Sequence, residues 1–215
     1  MARRTYGQLC GIASALDLLG ERWTLLLVRE LLTGPQRFGE LLANLTGMGP
    51  NLLSERLQTL TAAGVLEPLL INGDKRARQY QLTPLGEQLR EPLLQLGRWG
   101  MTQLVEPDEQ SEARAHWSLL AVEAMMRGRP VGKETESYEF RIDDLTFHLR
   151  VADEKAELRT GSAQDPAMIA TTDSRTFVTI GGGLVTPFEA VATGALTLTG
   201  DPEAVLRCSR LLGLV

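Results

Sequence analysis

This chain of 215 residues has few of the groups that metal, disulfide or covalent chemistry requires. Its two cysteines, Cys10 and Cys208, sit at opposite ends and can build neither a disulfide framework nor a metal cluster. Two histidines, His116 and His148, argue against a zinc site. No apolar run approaches about 18 residues, which excludes a spanning helix. The first residues, Met1-Ala2-Arg3-Arg4-Thr5, lead into Tyr6-Gly7-Gln8 rather than an apolar core with a cleavage site, so no secretory signal is read and the expected location is the cytoplasm. No Ser-His-Asp order, metal spacing or pair of carboxylates stands out, so the expectation is a non-enzyme without cofactor or metal. The run Gly181-Gly182-Gly183 lacks the Lys-Ser/Thr of a phosphate loop and reads as a turn, and His148 reads as an outward-facing strand residue.

What is present is ordinary for a globular protein: 43% apolar and 23% charged residues, with a net charge of −5. The charge is unevenly spread. Residues 1–105 hold 11 Lys and Arg against 9 Asp and Glu, whereas 106–215 hold 11 against 18. Two domains with different partners follow, the first able to approach a polyanion through locally clustered cations. The composition breaks at Glu106-Pro107-Asp108-Glu109-Gln110-Ser111, an acidic stretch with no apolar residue, which reads as a linker between domains at 1–105 and 112–215.

In the first domain, Ile12, Ala15, Leu16 and Leu19 recur at helical spacing up to Gly20, and Trp23 to Leu32 forms a second, deeply buried helix. A short helix covers Phe38 to Ala43. Pro50 suits the first position of the next helix, which aligns Leu53, Leu57 and Leu60 and leaves Asn51, Ser54, Glu55, Gln58 and Thr61 off that face. Leu66–Ile71 and Ala77–Leu82 flank Asn72-Gly73-Asp74, a hairpin signal, and Thr83-Pro84 caps one closing helix running from Leu85 to Trp99. A short helix, a turn and a longer helix with a polar exposed face form a helix-turn-helix, and the hairpin makes it a winged helix. The polar side of residues 50–59 would enter a major groove, where Pro50 leads in and Asn51, Ser54 and Arg56 meet base edges or phosphates. Lys75, Arg76 and Arg78 on the wing would lie along the DNA backbone or the minor groove, and Arg37, at the start of the short helix, is placed for a phosphate. The plainer alternative is a solvated helix face and turn, with Arg56 paired to a nearby carboxylate.

Leu16-Asp17-Leu18-Leu19-Gly20-Glu21-Arg22-Trp23-Thr24-Leu25-Leu26, Arg37-Phe38-Gly39-Glu40-Leu41, Leu53-Ser54-Glu55-Arg56-Leu57, Gly64-Val65-Leu66 and Leu82-Thr83-Pro84-Leu85-Gly86 occur in order, together with Cys10 and Tyr80. Over residues 8–101 this resembles the HxlR-type family of bacterial transcriptional regulators, relatives of MarR. The resemblance implies a homodimer on a palindromic double-stranded operator, with the first helix and the long helix after the wing forming the dimer interface. Cys10 matches the cysteine that some members use as a redox switch through an intersubunit disulfide. Its plainer reading is a small buried residue at a helix start.

The second half reads as a helix from Glu112 to Met126, then alternating strands carrying Tyr138, Phe140 and Ile142, and Leu145, Phe147, Leu149 and Val151, with turns at Asp143-Asp144 and Asp153-Glu154. A strand at Met168–Thr171, a helix near Ser174–Ile180, a capping box at Thr186-Pro187-Phe188-Glu189, a strand at Ala195–Thr199 and a helix capped by Asp201-Pro202 complete it. The expected fold is α+β: a winged helix followed by an α+β domain with a mostly antiparallel sheet. The Phe188-Glu189-Ala190 helix and Gly194-Ala195-Leu196-Thr197-Leu198-Thr199-Gly200-Asp201 make residues 112–213 similar to sterol-carrier-protein-type domains, which implies an apolar tunnel for lipid-like ligands. Trp117, Phe140, Phe147, Met168, Phe177, Ile180 and Phe188 are the large apolar side chains available to line it. The leading expectation is a regulator, with repression as its sign, whose operator binding a small apolar ligand modulates. The rivals are a structural, dimer-reinforcing second domain and a lipid carrier or accessory protein.

Overall fold

The computed structural model describes residues 5–70, 78–108 and 110–215. The chain separates into two units, Met1–Leu93 and Leu94–Val215.

In the first unit, α1 (Gly11–Leu19) and α2 (Thr24–Leu32) precede a two-residue strand β1 (Gln36–Arg37), then α3 (Phe38–Asn44) and α4 (Pro50–Ala62). The wing strands β2 (Leu66–Leu70) and β3 (Arg78–Leu82) follow, with sheet order β1-β3-β2 and every pair antiparallel. The apolar positions spaced along α2 and α4 make one core: Leu27, Val28 and Leu31 are buried with Leu53, Leu57 and Leu60, and Leu41, Val65 and Leu82 join them. Polar side chains fix α3 beside α2, since Gln36 Nε2 donates to the Glu30 carbonyl at 2.8 Å and accepts at Oε1 from Asn44 Nδ2 at 3.0 Å. Gly47, at φ +90°, makes the turn between α3 and α4, and a Cβ there would lie 3.5 Å from the Trp23 ring. Gly86 answers a different demand: a side chain would collide with the Val65 carbonyl oxygen.

The closing helix is in two pieces rather than one, α5 (Pro84–Glu87) and α6 (Arg90–Met101). Pro92 explains the break, because its ring cannot sit beside the carbonyl four residues earlier and is tolerated only in a first turn. Restarting at Arg90 puts Pro92 there, and Arg90 Nη2 donates to the Leu32 carbonyl at 3.0 Å, tying the new start to the end of α2. The division between the two units falls inside α6.

In the second unit, α7 (Trp117–Met126) is followed by β4 (Glu136–Ile142), β5 (Leu145–Ala152), β6 (Lys155–Thr160), β7 (Met168–Thr172), α8 (Ser174–Gly181), α9 (Pro187–Ala192), β8 (Leu196–Gly200) and α10 (Pro202–Leu212). The sheet order is β6-β5-β4-β7-β8, antiparallel except for the parallel pair β4 and β7. Alternation puts Tyr138, Phe140, Ile142, Phe147, Leu149, Met168 and Leu196 in one core with α7, α8 and α10, and leaves His148, Arg150 and Arg159 on the other face. His148 is half-buried there, with Nδ1 2.8 Å from the Gly161 carbonyl. The tight turns have the backbone their residues favour: Asp143, Asp153 and Glu154 all have φ between 51° and 57°. Helix α7 begins at Trp117, later than the Glu112 that periodicity suggests. The Ser111 carbonyl, which would serve a helix starting at 112, instead accepts from Arg175 Nη1 at 3.2 Å.

Candidate functional site: a nucleic-acid interface and an apolar cavity

Helix α4 has two opposed faces. Leu53, Leu57 and Leu60 hold it in the core, Pro50 opens it after Gly49, and Asn51, Glu55 and Gln58 are exposed with Ser54 half-buried beside them. The short pairing of β1 with β3 sets Arg37 opposite Gln79, one residue along the wing from Arg78. Both are exposed, and Arg78 lies over the Tyr80 ring at 5.1 Å. Glu40 accepts from the Arg37 backbone N–H at 2.5 Å, which leaves the Arg37 guanidinium out of that cap.

Arg56 does not join this face. Its side chain is 13% exposed and pairs with Glu21 at 3.2 Å and Glu55 at 3.1 Å, because its place between Leu53 and Leu57 turns it toward the body of the unit. Lys75 and Arg76 lie outside the described residues.

Cys10 is exposed, which removes the reading of a residue buried at a helix start. It is the N-cap of α1, and the backbone N–H groups of Ala13 and then Ile12 hold its thiol below the ordinary range. Cys208 is buried, and desolvation pushes its thiol up.

The second unit contains a cavity of about 60 Å³ between the sheet and its helices. Of the side chains read from the sequence, Phe140, Met168, Phe177 and Ile180 line it. Phe147, Trp117 and Phe188 do not. Phe147 is one strand further out, stacked on Phe140 with ring centroids 5.2 Å apart. Trp117 opens α7 edge-on to His116, and Phe188 is 81% exposed because α9 buries the side that carries Ala190. Choosing by size missed smaller liners: Leu196 and Leu198 alternate on β8, and Val205, Cys208 and Leu212 recur at helical spacing on α10. Those spacings were the available signal.

An ion pair clamps α10 to the sheet. Arg207 donates from Nε and Nη2 to the two Glu136 oxygens at 2.7 Å each, and the Tyr138 hydroxyl donates to Glu136 Oε1 at 2.5 Å. The Arg207 hydrogen bonds hold the Glu136 carboxyl below the usual range, and burial pushes the Tyr138 hydroxyl up. No helix among the described residues is long and apolar enough to cross a membrane.

Comparison with known proteins assigns each unit. Residues 18–108 match the HxlR-like helix-turn-helix model, and residues 127–213 match the SCP-2 sterol transfer family. An uncharacterised HTH-type transcriptional regulator of Mycobacterium tuberculosis is 38% identical over 97 residues, which is 45% of this chain and 61% of the relative. The chain thus spans about three fifths of the length of that relative. The uncharacterised HTH-type transcriptional regulator YvaP of Bacillus subtilis is 37% identical over 93 residues, 43% of this chain and 85% of YvaP. A solved structure of the reduced form of the transcriptional regulator YodB from B. subtilis is 29% identical, with a TM-score of 0.39 over 47% of this chain and all of YodB. The chain belongs to the HxlR-like helix-turn-helix family of transcriptional regulators, and joins to that domain a second one of the SCP-2 type.

Proposed function

We propose that the protein is a homodimeric repressor that reads a palindromic operator and whose SCP-2-type domain takes a small apolar ligand that alters operator binding. The observation that carries the DNA reading is the exposed polar face of α4, with Asn51 and Ser54 in its first two turns; Arg37 and Arg78 are exposed cations of the same unit. Asn51 and Ser54 supply hydrogen bonds to base edges, while the two arginines neutralise phosphates. Two such helices need about 34–36 Å between half-sites, one duplex turn. The dimer reading rests on apolar side chains that the described residues leave uncovered: Ile12 is 72% exposed on α1. Trp99, on the part of α6 that lies in the second unit, is 63% exposed. The cavity supports ligand binding.

One observation favours a second reading, in which the second domain only reinforces the dimer: the cavity is small, at about 60 Å³. A native mass spectrum of the freshly purified protein, set beside a denatured one, separates them. A dimer carrying mass that vanishes on denaturation supports the sensor, and a dimer of twice the chain mass supports the brace. A monomer overturns both. Selection from random duplexes tests the operator, and recovery of no palindrome overturns the DNA reading.

A further inference from the structure

We propose that α8 is the wall of the cavity that yields, and that through α8 a small uncharged apolar ligand acts on the end of α6. The inference rests on the ligand-binding reading above and says how that ligand would be felt.

The cavity, at about 60 Å³, is smaller than the roughly 150 Å³ of an engineered apolar cavity that accepts benzene. A ligand of that size or larger is fully enclosed only if a wall moves, so enclosure and movement are linked. The walls differ in what holds them. On one side are the hydrogen-bonded strands β4, β7 and β8, which contribute Phe140, Met168 and Leu196. On another is α10, clamped by the two-pronged pair of Arg207 and Glu136. The rest is helical: α8 contributes Phe177, Ile180 and Gly181, with Met125 of α7 and Pro187 of α9 beside it. The packing of α8 at its C-terminal end is against flexible side chains: a Cβ on Gly181 would lie 2.7 Å from Met101 Cε, and one on Gly182 would lie 2.8 Å from Leu104 Cδ1. Methionine adapts its shape at small cost, so this wall deforms first.

Helix α8 is also strapped to the chain that leaves α6. At its N-terminal end, Arg175 Nη2 donates to the carbonyls of Pro107 and Asp108 at 2.7 Å each, and Nη1 donates to that of Ser111 at 3.2 Å. Residues 101–108 thus run antiparallel to α8, held by packing at one end and hydrogen bonds at the other. The stretch read in the sequence as a linker is a tether on the cavity's movable wall, and it is continuous with α6. A ligand pressing on Phe177 and Ile180 shifts α8, and α8 carries residues 101–108 with it. The ligand's class follows from the lining. No carboxylate, ammonium or guanidinium group lines the cavity, and its polar side chains are the hydroxyls of Thr172 and Ser209 and the Cys208 thiol. A charged headgroup inside would lose its hydration without a partner, which leaves neutral apolar molecules.

The test uses the full chain and the neutral fluorophore N-phenyl-1-naphthylamine, with hydrogen exchange followed by peptide mass spectrometry. The expected result is saturable binding with exchange changed by about 5- to 150-fold in peptides covering 98–111 and 174–182, the range of ordinary coupling, and unchanged in β4 and β7. Arg175→Ala, at an exposed position, should bind the probe as tightly yet lose the response in 98–111. A second variant, Arg175→Lys, keeps one donor and should restore part of it. Absence of probe binding overturns the ligand reading and this inference together. Binding with a response confined to α10 or the sheet, or a response in 98–111 that survives Arg175→Ala, overturns the role of α8 alone.

Discussion

Helix α10 gathers its apolar side chains on one face, and that face, with Ala204, Cys208, Leu211 and Leu212, is buried within its own unit. Helix α1 gathers Ile12 and Leu16 in the same way but buries only Ala13 and leaves those two exposed. The sequence pattern is equivalent in the two helices. An apolar stripe announces that a helix has a partner; it does not say whether the partner lies in the same chain. Helix α10 buries its stripe within its own unit, whereas α1 presents an unmatched face, as a subunit of a dimer would.

That contrast can be broken most forcefully at Ile12. Ile12→Asp should give a folded monomer in sedimentation and cost at least about 10³-fold in operator affinity, the lower end of the gap between specific and non-specific binding. A variant that stays dimeric would show that α1 is not in the interface. The matched change on α10, Leu212→Ala, should cost about 2–5 kcal/mol in denaturant unfolding while leaving the protein dimeric.

Smaller effects sharpen the comparison at the DNA surface. Asn51→Ala should cost about 1–3 kcal/mol at the preferred operator and little on random duplex. Arg78→Ala should weaken both alike and lower the slope of log affinity against log salt by about 0.9. Equal losses on specific and random DNA for Asn51→Ala would place that side chain on phosphate.

The smallest effects are electrostatic. The folded Glu136 carboxyl titrates below its unfolded value, chiefly because Arg207 donates to it, so its contribution is present above the usual carboxylate pKa and is lost as pH falls through the lowered one. The melting-temperature difference between the native chain and Glu136→Gln should therefore shrink from pH 7 to about pH 3. A constant difference would mean the pair contributes shape rather than charge. In alkylation with iodoacetamide, Cys10 should react in the folded protein and Cys208 only after unfolding.

Much of this was legible in the residues because local chemistry decided it. Pro50 after Gly49, the reciprocal Thr186 and Glu189 cap, and the Asp153-Glu154 turn each fix an end or a reversal within a few residues. What escaped depends on distant chain. Two residues carry no period, so β1 exists only through its pairing with β3. Arg56 was ambiguous until Glu21, far back in the chain, came within reach. The break before α6 was written in Pro92, although the run of leucines from Leu85 masked it. The cavity liners were misjudged by ranking side chains on size, whereas enclosure is set by which strand a residue occupies. Phe147 is larger than Leu198, yet it sits one strand too far out.

The parallel pair of β4 and β7 also bears on the order in which the chain acquires structure. During synthesis the β4–β5–β6 meander can close through its own tight turns, but β4 then has an open edge carrying Tyr138, Phe140 and Ile142 until Met168 and the residues after it emerge. Open apolar edges recruit other chains, and non-local pairings form late. In the first unit, built largely from neighbouring helices, only the two-residue β1 waits in this way among the described residues. The second is where crowded expression should first produce aggregates, with the β4 edge as the adhesive surface.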